Sequence, residues 1–222
     1  VPTPDMRFFT RYKFIILLFL LIPVSALAHG ISEEDKLRML SGGYLQYIGL
    51  GATHMLTGYD HLLFLFGVVF FLTSFKDIAK FVTAFTVGHC ITLIFATFYQ
   101  NTWNYFLIDA IIALSVIYKG FDNNGGFQKY LDMKSPNLLG AVFLFGLLHG
   151  FGLSTRLQQL PLGDDSTDIL LRILSFNLGV EIGQIVALVV MVALLSLWRH
   201  KPSFQRFSFA SNQSLIYAGV LL

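Results

Sequence analysis

The chain has 222 residues, of which 55% are hydrophobic and only 13% are charged, and 23 of them are Phe. A soluble globular domain has about 25% charged residues, so this composition, with a mean hydropathy of +0.67, excludes one and predicts an integral membrane protein in a lipid bilayer. The net charge of +2 is spread over loops, so we expect no nucleic-acid partner, and the single Cys90 excludes an internal disulfide or a thiolate cluster.

The N-terminus has the pattern of a secretory signal peptide. A basic stretch at residues 6–13 precedes an apolar run at residues 14–24, and small residues that would suit a signal peptidase follow. We predict a signal peptide over residues 1–28, in which residues 1–5 are extra residues ahead of Met6. The alternative is an uncleaved first transmembrane helix.

The rest of the chain, residues 29–222, is predicted to be a single all-α domain, a polytopic bundle of about six transmembrane helices. It starts with a short polar surface helix at residues 29–41. Residues 43–75 are apolar over about 33 positions, which exceeds the roughly 20 needed to cross a bilayer, so we predict a first helix broken near Gly58. The final apolar run begins at Leu215 and is too short to span, which predicts a truncated last helix. Further helices are predicted at residues 81–99, 105–118, 138–157 and 169–198, with loops at 74–80 and 121–137.

Lys and Arg are unevenly distributed over the predicted loops. The positive-inside rule assigns loops rich in these residues to the cytoplasm. The connections after the first, third and fifth helices carry most of them, and the connection after the second carries none. We therefore predict a multi-pass protein of the bacterial inner membrane with its mature N-terminus outside. The residues concerned are Lys76, Lys80, Lys119, Lys129, Lys134, Arg199, Lys201 and Arg206.

Ionisable side chains lie within the predicted membrane helices. A charged side chain at the bilayer centre costs roughly 2.5–3.5 kcal/mol on insertion scales, so such groups usually face a bundle interior and serve an ion pathway. The candidate site residues come from four helices and are predicted to share one depth: His54, Asp60, His61, His89, His149 and Glu181.

Imidazole and carboxylate groups together suit a divalent transition metal such as Ni²⁺, Co²⁺ or Zn²⁺, whereas Cu⁺ favours sulfur ligands. On a straight helix His54 and His61 would lie ~10.5 Å apart along the axis. One ion can bind both only if the helix breaks at Gly58, and otherwise there are two ions.

Several alternatives remain open at this level. The His and Asp residues could be structural pairs that join helices. Asn177, Glu181 and Gln184 share one helix face and could be interhelical hydrogen-bonders rather than ligands. Asp109, Cys90 and, after cleavage, the new N-terminal residue His29 are weaker candidates.

The segment HMLTGYDH, which contains His54, Asp60 and His61, resembles the His-x5-Asp-His signature of the HupE/UreJ family, proposed nickel permeases. The segments TVGH at 86–89, SVI at 115–117, LHGFG at 148–152 and FNLGVE at 176–181 are similar to a second, less characterised branch. The resemblance implies a polytopic metal transporter with His54, Asp60 and His61 as metal-binding residues.

The chain departs from the nickel-associated pattern in its fourth helix. Those members follow their His-Gly with a small residue, a Gly and a Glu, whereas this chain has Gly152, Ser154 and Arg156 in that region. Glu181 is the candidate replacement for the missing carboxylate. The resemblance to the family therefore does not by itself imply that nickel is the substrate.

The predicted function is a permease that moves a divalent transition-metal ion, its substrate, through the membrane. The alternatives are a membrane-embedded metal-dependent hydrolase and a membrane subunit with a structural metal site. A homo-oligomer is compatible with the sequence.

Overall fold

The computed structural model describes residues 43–101, 103–158 and 165–222, and these residues fold as an all-helical bundle. The predicted signal peptide, the surface helix at residues 29–41 and His29 lie outside the described residues. The described helices are α1 Tyr44–Thr57, α2 Tyr59–Val69, α3 Phe75–Phe98, α4 Tyr105–Asn123, α5 Gly126–Leu131, α6 Leu138–Leu157, α7 Ser166–Arg199 and α8 Pro202–Leu221.

The predicted break in the first helix is confirmed at Gly58. This residue lies between α1 and α2 with φ −73° and ψ 98°, so the helical path stops there for one residue. Its N–H still donates to His54 O at 2.9 Å, and its carbonyl accepts from Leu62 N at 3.0 Å. The backbone groups at the break are therefore paired, as an interrupted helix at membrane depth requires.

Two predicted loops are partly helical. The prediction of a loop at residues 74–80 is wrong, because α3 begins at Phe75 with Ser74 as its N-cap, whose Oγ accepts from Asp77 N at 3.4 Å. The third predicted helix continues past Tyr118 to Asn123, because the buried Lys119 pairs with Asp122 at 2.6 Å. The predicted loop at 121–137 therefore contains the end of α4 and the short α5.

The last helix begins earlier than predicted. It starts with Pro202 in its first turn rather than at Leu215 and has 20 residues. Its first half is polar, which hid it from an apolar-run criterion. Asn212, at the middle of α8, is fully buried and accepts a hydrogen bond from Asn123 Nδ2 at 2.8 Å, so α8 packs on α4 through polar as well as apolar groups.

Glycines allow two pairs of helices to approach closely. Gly51 of α1 lies against the backbone of Phe176 in α7, and Gly179 of α7 lies against Ile48 of α1. In the same way Gly146 of α6 lies against the backbone of Phe85 in α3. A Cβ at any of these positions would clash with backbone, which is the reason that small residues occur at tight interfaces between membrane helices.

The contacts also fix the relative direction of the helices. Residues later in α1 contact residues later in α7, and the same holds for α3 and α6, so the helices of each pair are parallel. Helices α4 and α8 are antiparallel, since Gly120 meets Ile216 while Gly219 meets Ile117. The ends of α2, α4 and α7 therefore lie on the same side of the bundle as the starts of α3, α6 and α8.

Among the described residues, three helical segments are long and apolar enough to cross a membrane: Phe75–Phe98, Leu138–Thr155 and Ser166–Arg199. The segment α2, Tyr59–Val69, is a shorter apolar helix that continues α1 after the break. The predicted all-α membrane bundle is confirmed as a fold class.

Candidate metal centre

Asp60 and His61 lie in the first turn of α2, directly after the break. Both are buried, with exposed fractions of 7% and 6%. One carboxylate oxygen, Oδ1, accepts from the backbone N–H of His61 at 2.8 Å and also lies 2.8 Å from His61 Nδ1. The positive end of the α2 dipole stabilises a carboxylate at this position. With Nδ1–H donating to Asp60, the second ring nitrogen of His61, Nε2, carries the lone pair.

His149 of α6 completes a buried cluster with these two residues. Its Nδ1 lies 2.7 Å from the carbonyl oxygen of Phe145 one turn earlier, so Nδ1 carries the proton and Nε2 the lone pair. Nε2 is buried and has no hydrogen-bond partner among the described residues. Asp60, His61 and His149 each offer one ligand atom, and these atoms all lie within 4.8 Å of one another.

His54, at the end of α1, borders this cluster. Its ring centroid is 5.1 Å from that of His61, with the planes 73° apart, and 5.7 Å from the ring of Phe176. His54 and His61 are therefore neighbours across the break, although a straight helix would separate them by about two turns, ~10.5 Å along its axis. His54 is half-buried and lies outside the three-residue group.

His89 of α3 lies outside the three-residue group as well. It is 1% exposed, and its Nδ1 is 3.0 Å from Oδ1 of Asn177 in α7. Its Nε2, like that of His149, is buried and has no hydrogen-bond partner among the described residues. The ring of Phe85 stacks on His89 at 6.3 Å and meets His149 edge-on at 5.1 Å, so this phenyl ring adjoins both imidazoles.

Glu181 also lies outside the group, half-buried on α7. It lies within one turn of Asn177 and Gln184 on the same helix face. Asp109 and Cys90 are likewise half-buried and lie outside the group. The structure therefore brings together Asp60, His61 and His149 most closely, with His54 and His89 beside them.

Two of the three residues that sequence reasoning left undecided on α7 are hydrogen-bonded to α3. Asn177 faces His89, and Gln184 Oε1 accepts from Thr86 Oγ1 at 2.8 Å. Their shared helix face was the signal that pointed to them. The sequence did not indicate the roles of the Phe145 carbonyl and the Phe85 ring. Every helical residue has a backbone carbonyl, and many membrane positions are apolar, so neither feature distinguishes these two residues.

Apolar rings surround the cluster. Phe64 and Phe85 both meet the ring of His149, at 5.9 and 5.1 Å. Beside His61 a narrow apolar cavity runs between α2 and α3 towards their connection, lined by residues that include Phe64, Val68, Val69, Ile78, Phe81, Val82 and Gln184. The cluster thus lies in water-poor surroundings in which charge–ligand interactions are strong.

The donor set has a defined chemistry. Two imidazole nitrogens and a carboxylate oxygen, without a thiolate, match the preferences of Ni²⁺, Co²⁺ and Zn²⁺. In each of the imidazoles of His61 and His149 the other nitrogen is occupied by a fixed acceptor, which is the arrangement that metal-binding His residues adopt. The buried lone pair on His149 Nε2, for which the described part of the chain offers no donor, is suited to accept a cation.

The long apolar helices and the broken helix that lines a buried polar cluster define a multi-pass α-helical membrane protein. A family model described as "HupE / UreJ protein" matches residues 32–222, and the chain belongs to this family. The family is associated with nickel and cobalt transport. Comparison with curated proteins and with solved structures finds no match.

Proposed function

We propose that the protein is a permease that carries a divalent transition-metal ion across the membrane through the cluster of Asp60, His61 and His149. The observation that carries this proposal is the close approach of their ligand atoms, within 4.8 Å, together with the unpartnered lone pair on His149 Nε2. A mixed imidazole and carboxylate site binds an ion but also releases it, as conduction requires. Nickel, cobalt and zinc are the candidate substrates.

The break at Gly58 supports transport rather than a purely structural role. Interrupted helices at membrane depth are typical of transporters, where the ends of the half-helices face the substrate site. Here the first turn of α2 carries Asp60 and His61, and the last turn of α1 carries His54. One ion can thus be reached by residues on both sides of the break.

We assign subsidiary positions to His54, His89 and Glu181. His54 adjoins His61, with ring centroids 5.1 Å apart, and would meet the ion next to the central group. His89 adjoins the group through Phe85, and Glu181 shares the α7 face of Asn177, the hydrogen-bond partner of His89. The six residues together would form one mono- or dinuclear pathway.

We propose an orientation with the start of α1 outside and the connection of α2 to α3 in the cytoplasm of a bacterial cell. The direction of the helices and the Lys and Arg distribution agree on this point. Lys76, Lys80, Lys134, Lys201 and Arg206 all belong to the side at which α2 ends and α3 begins. The apolar cavity beside His61 extends towards this side.

Uptake into proteoliposomes tests the proposal. Purified protein is reconstituted, and the internal accumulation of Ni²⁺, Co²⁺, Zn²⁺ and Mn²⁺ is compared with that in protein-free liposomes. We expect uptake of at least one of the first three ions, and its loss in His149→Ala and Asp60→Asn. Cys90→Ala is the matched control, because Cys90 neighbours His89 but lies outside the group. Uptake that is equal in all variants, or absent for every ion in the native protein, would contradict the proposal.

A further inference from the structure

A chain of two hydrogen bonds links helix α7 to His89 of α3. Asn177 Nδ2 donates to the carbonyl of Ile173 at 3.0 Å, and Asn177 Oδ1 lies 3.0 Å from His89 Nδ1. Both side chains are at least nine-tenths buried, with exposed fractions of 5% for Asn177 and 1% for His89. No water is needed to complete this chain.

These two hydrogen bonds fix the tautomer of His89. The amide nitrogen of Asn177 is directed at Ile173, so its carbonyl oxygen, which only accepts, faces the imidazole. His89 Nδ1 must therefore carry the ring proton, and Nε2 carries a lone pair. That lone pair is buried and has no hydrogen-bond partner among the described residues. A buried acceptor without a donor is costly to maintain, which points to a cation as its partner.

His149 is held in the same Nδ1–H tautomer by a different kind of acceptor. There the acceptor is a backbone carbonyl of the same helix, that of Phe145 at 2.7 Å. For His89 the acceptor is a side chain from another helix. A substitution can therefore remove it without altering the backbone of α3.

We propose that Asn177 is a positioning residue of the ion pathway, which holds His89 in the Nδ1–H tautomer and presents its Nε2 lone pair to the transported divalent ion. The part that concerns the ion rests on the proposed function. The competing explanation is that Asn177 joins α3 to α7, as Gln184 does through its hydrogen bond from Thr86 at 2.8 Å.

The second α3–α7 hydrogen bond provides a matched control. Thr86→Val removes it with little change in volume and leaves Asn177 and His89 in place. Asn177→Leu removes the acceptor of His89 and keeps the number of side-chain heavy atoms, and Asn177→Asp keeps an acceptor there. If Asn177→Leu does not fold, Asn177→Ala removes the same acceptor with less crowding.

The first measurement needs no metal. Nitrogen-15 NMR of His-labelled, metal-free protein reports which ring nitrogen of His89 is protonated, with His89→Gln used to assign its signals. We expect the Nδ1–H form in the native protein, Thr86→Val and Asn177→Asp, and a substantial Nε2–H fraction in Asn177→Leu. An unchanged His89 tautomer in Asn177→Leu would overturn the positioning role, whatever the protein transports.

The second measurement is the affinity for Ni²⁺, by equilibrium dialysis of the full chain in detergent. We expect Asn177→Leu to weaken binding roughly 10–100-fold, the usual effect of removing the partner of a metal-binding His. Asn177→Asp should restore most of the affinity, and Thr86→Val should leave it unchanged. An equal loss of Ni²⁺ affinity in Asn177→Leu and Thr86→Val would show that Asn177 acts only as a contact between α3 and α7. Failure of the native protein to bind Ni²⁺, Co²⁺ or Zn²⁺ would contradict the proposed function, and the tautomer result would still decide the role of Asn177.

Discussion

The imidazole of His149 lies edge-on to that of His61, with ring centroids 5.0 Å apart and planes 69° apart. The two residues come from α6 and from the second half of a broken helix, so no local sequence pattern brings them together. Each has its Nδ1 occupied by an oxygen, of Phe145 or of Asp60. Two imidazoles and one carboxylate therefore lie together in a buried space, and Nε2 of His149 has no hydrogen-bond partner among the described residues.

Replacement of His149 is predicted to weaken metal binding more than it weakens the fold. His149→Ala and the more nearly isosteric His149→Gln both remove the imidazole nitrogen. We expect at least a ten-fold loss of Ni²⁺ or Zn²⁺ affinity. Removal of the hydrogen-bond partner of a ligand already costs roughly 10–100-fold, and removal of the ligand itself should cost more. Calorimetric titration in detergent measures the loss. Native affinity in both variants would show that His149 is not a ligand.

Alanine at Gly58 is predicted to disturb the cluster. A Cβ there would lie 2.9 Å from His61 Nδ1 and 3.1 Å from Asp60 Oδ1, both too close. The Cβ would also lie 3.0 Å from the carbonyl oxygen of His54. The backbone of Gly58, with φ −73° and ψ 98°, suits any L-residue, so the effect would come from these close contacts and not from backbone strain at Gly58.

We expect Gly58→Ala to lower metal affinity and uptake together. Gly49→Ala is the control on the same broken helix, because a Cβ at Gly49 has nothing within 4 Å. Dialysis and proteoliposome uptake of both variants give the comparison. If the two variants behave alike, the geometry at the break does not matter for the site.

The contact between α3 and α6 is predicted to be sensitive to a single methyl group. A Cβ at Gly146 would clash with the backbone of Phe85, whereas one at Gly140 would only meet Asn137 Oδ1 at 3.8 Å. Overpacking of this kind costs about 1–3 kcal/mol. Gly146→Ala should therefore lower the apparent Tm in detergent, followed by Trp fluorescence. Gly140→Ala should not, and an equal Tm in both variants would contradict this packing.

Arg199 is predicted to stabilise the far end of α2. Its guanidinium donates to the carbonyl oxygens of Val69 and Phe70, the last of that helix. Arg199→Met leaves these carbonyls without this donor, and an unmade hydrogen bond of a buried group costs about 1–3 kcal/mol.

The expected result for Arg199→Met is a lower Tm with unchanged metal affinity, because Arg199 contacts the far end of α2 and not the cluster. Arg206→Met, at an exposed position of α8, is the control and should keep the native Tm. A native Tm in Arg199→Met would show that water serves the end of α2 equally well.

Much of the fold could be predicted from the sequence, because the lengths of the apolar runs and the positions of glycines determine it. The run at residues 43–75 is too long for one straight span, which predicted a break, and glycine placed that break near Gly58, where the structure has it. The start of α8 was missed because Asn212 and its polar neighbours lower the local hydropathy, although Asn212 is buried against α4. Polar packing between helices has no signature in an apolar-run criterion.

The site was predictable in its residue types but not in its grouping. Asp60 and His61 are adjacent in sequence, so their pairing was expected. That His149 joins them closely while His89 is bonded to Asn177 depends on how α3, α6 and α7 rotate about their axes. The rotation of α3 against α6 is fixed by backbone contacts at Gly88, Gly146 and Gly150, which depend on the partner helix and not on local periodicity.

The most direct test of the central claim is X-ray absorption spectroscopy of the full chain loaded with the ion that the proteoliposomes take up best. We predict nitrogen and oxygen donors at about 2.0–2.1 Å, typical of imidazole and carboxylate ligands to Zn²⁺, with outer-shell scattering from at least two imidazoles. His149→Ala should lose one imidazole, and Asp60→Asn should change the oxygen contribution. Bound metal whose spectrum is the same in the native protein and in both variants would show that the ion binds elsewhere and would contradict the account.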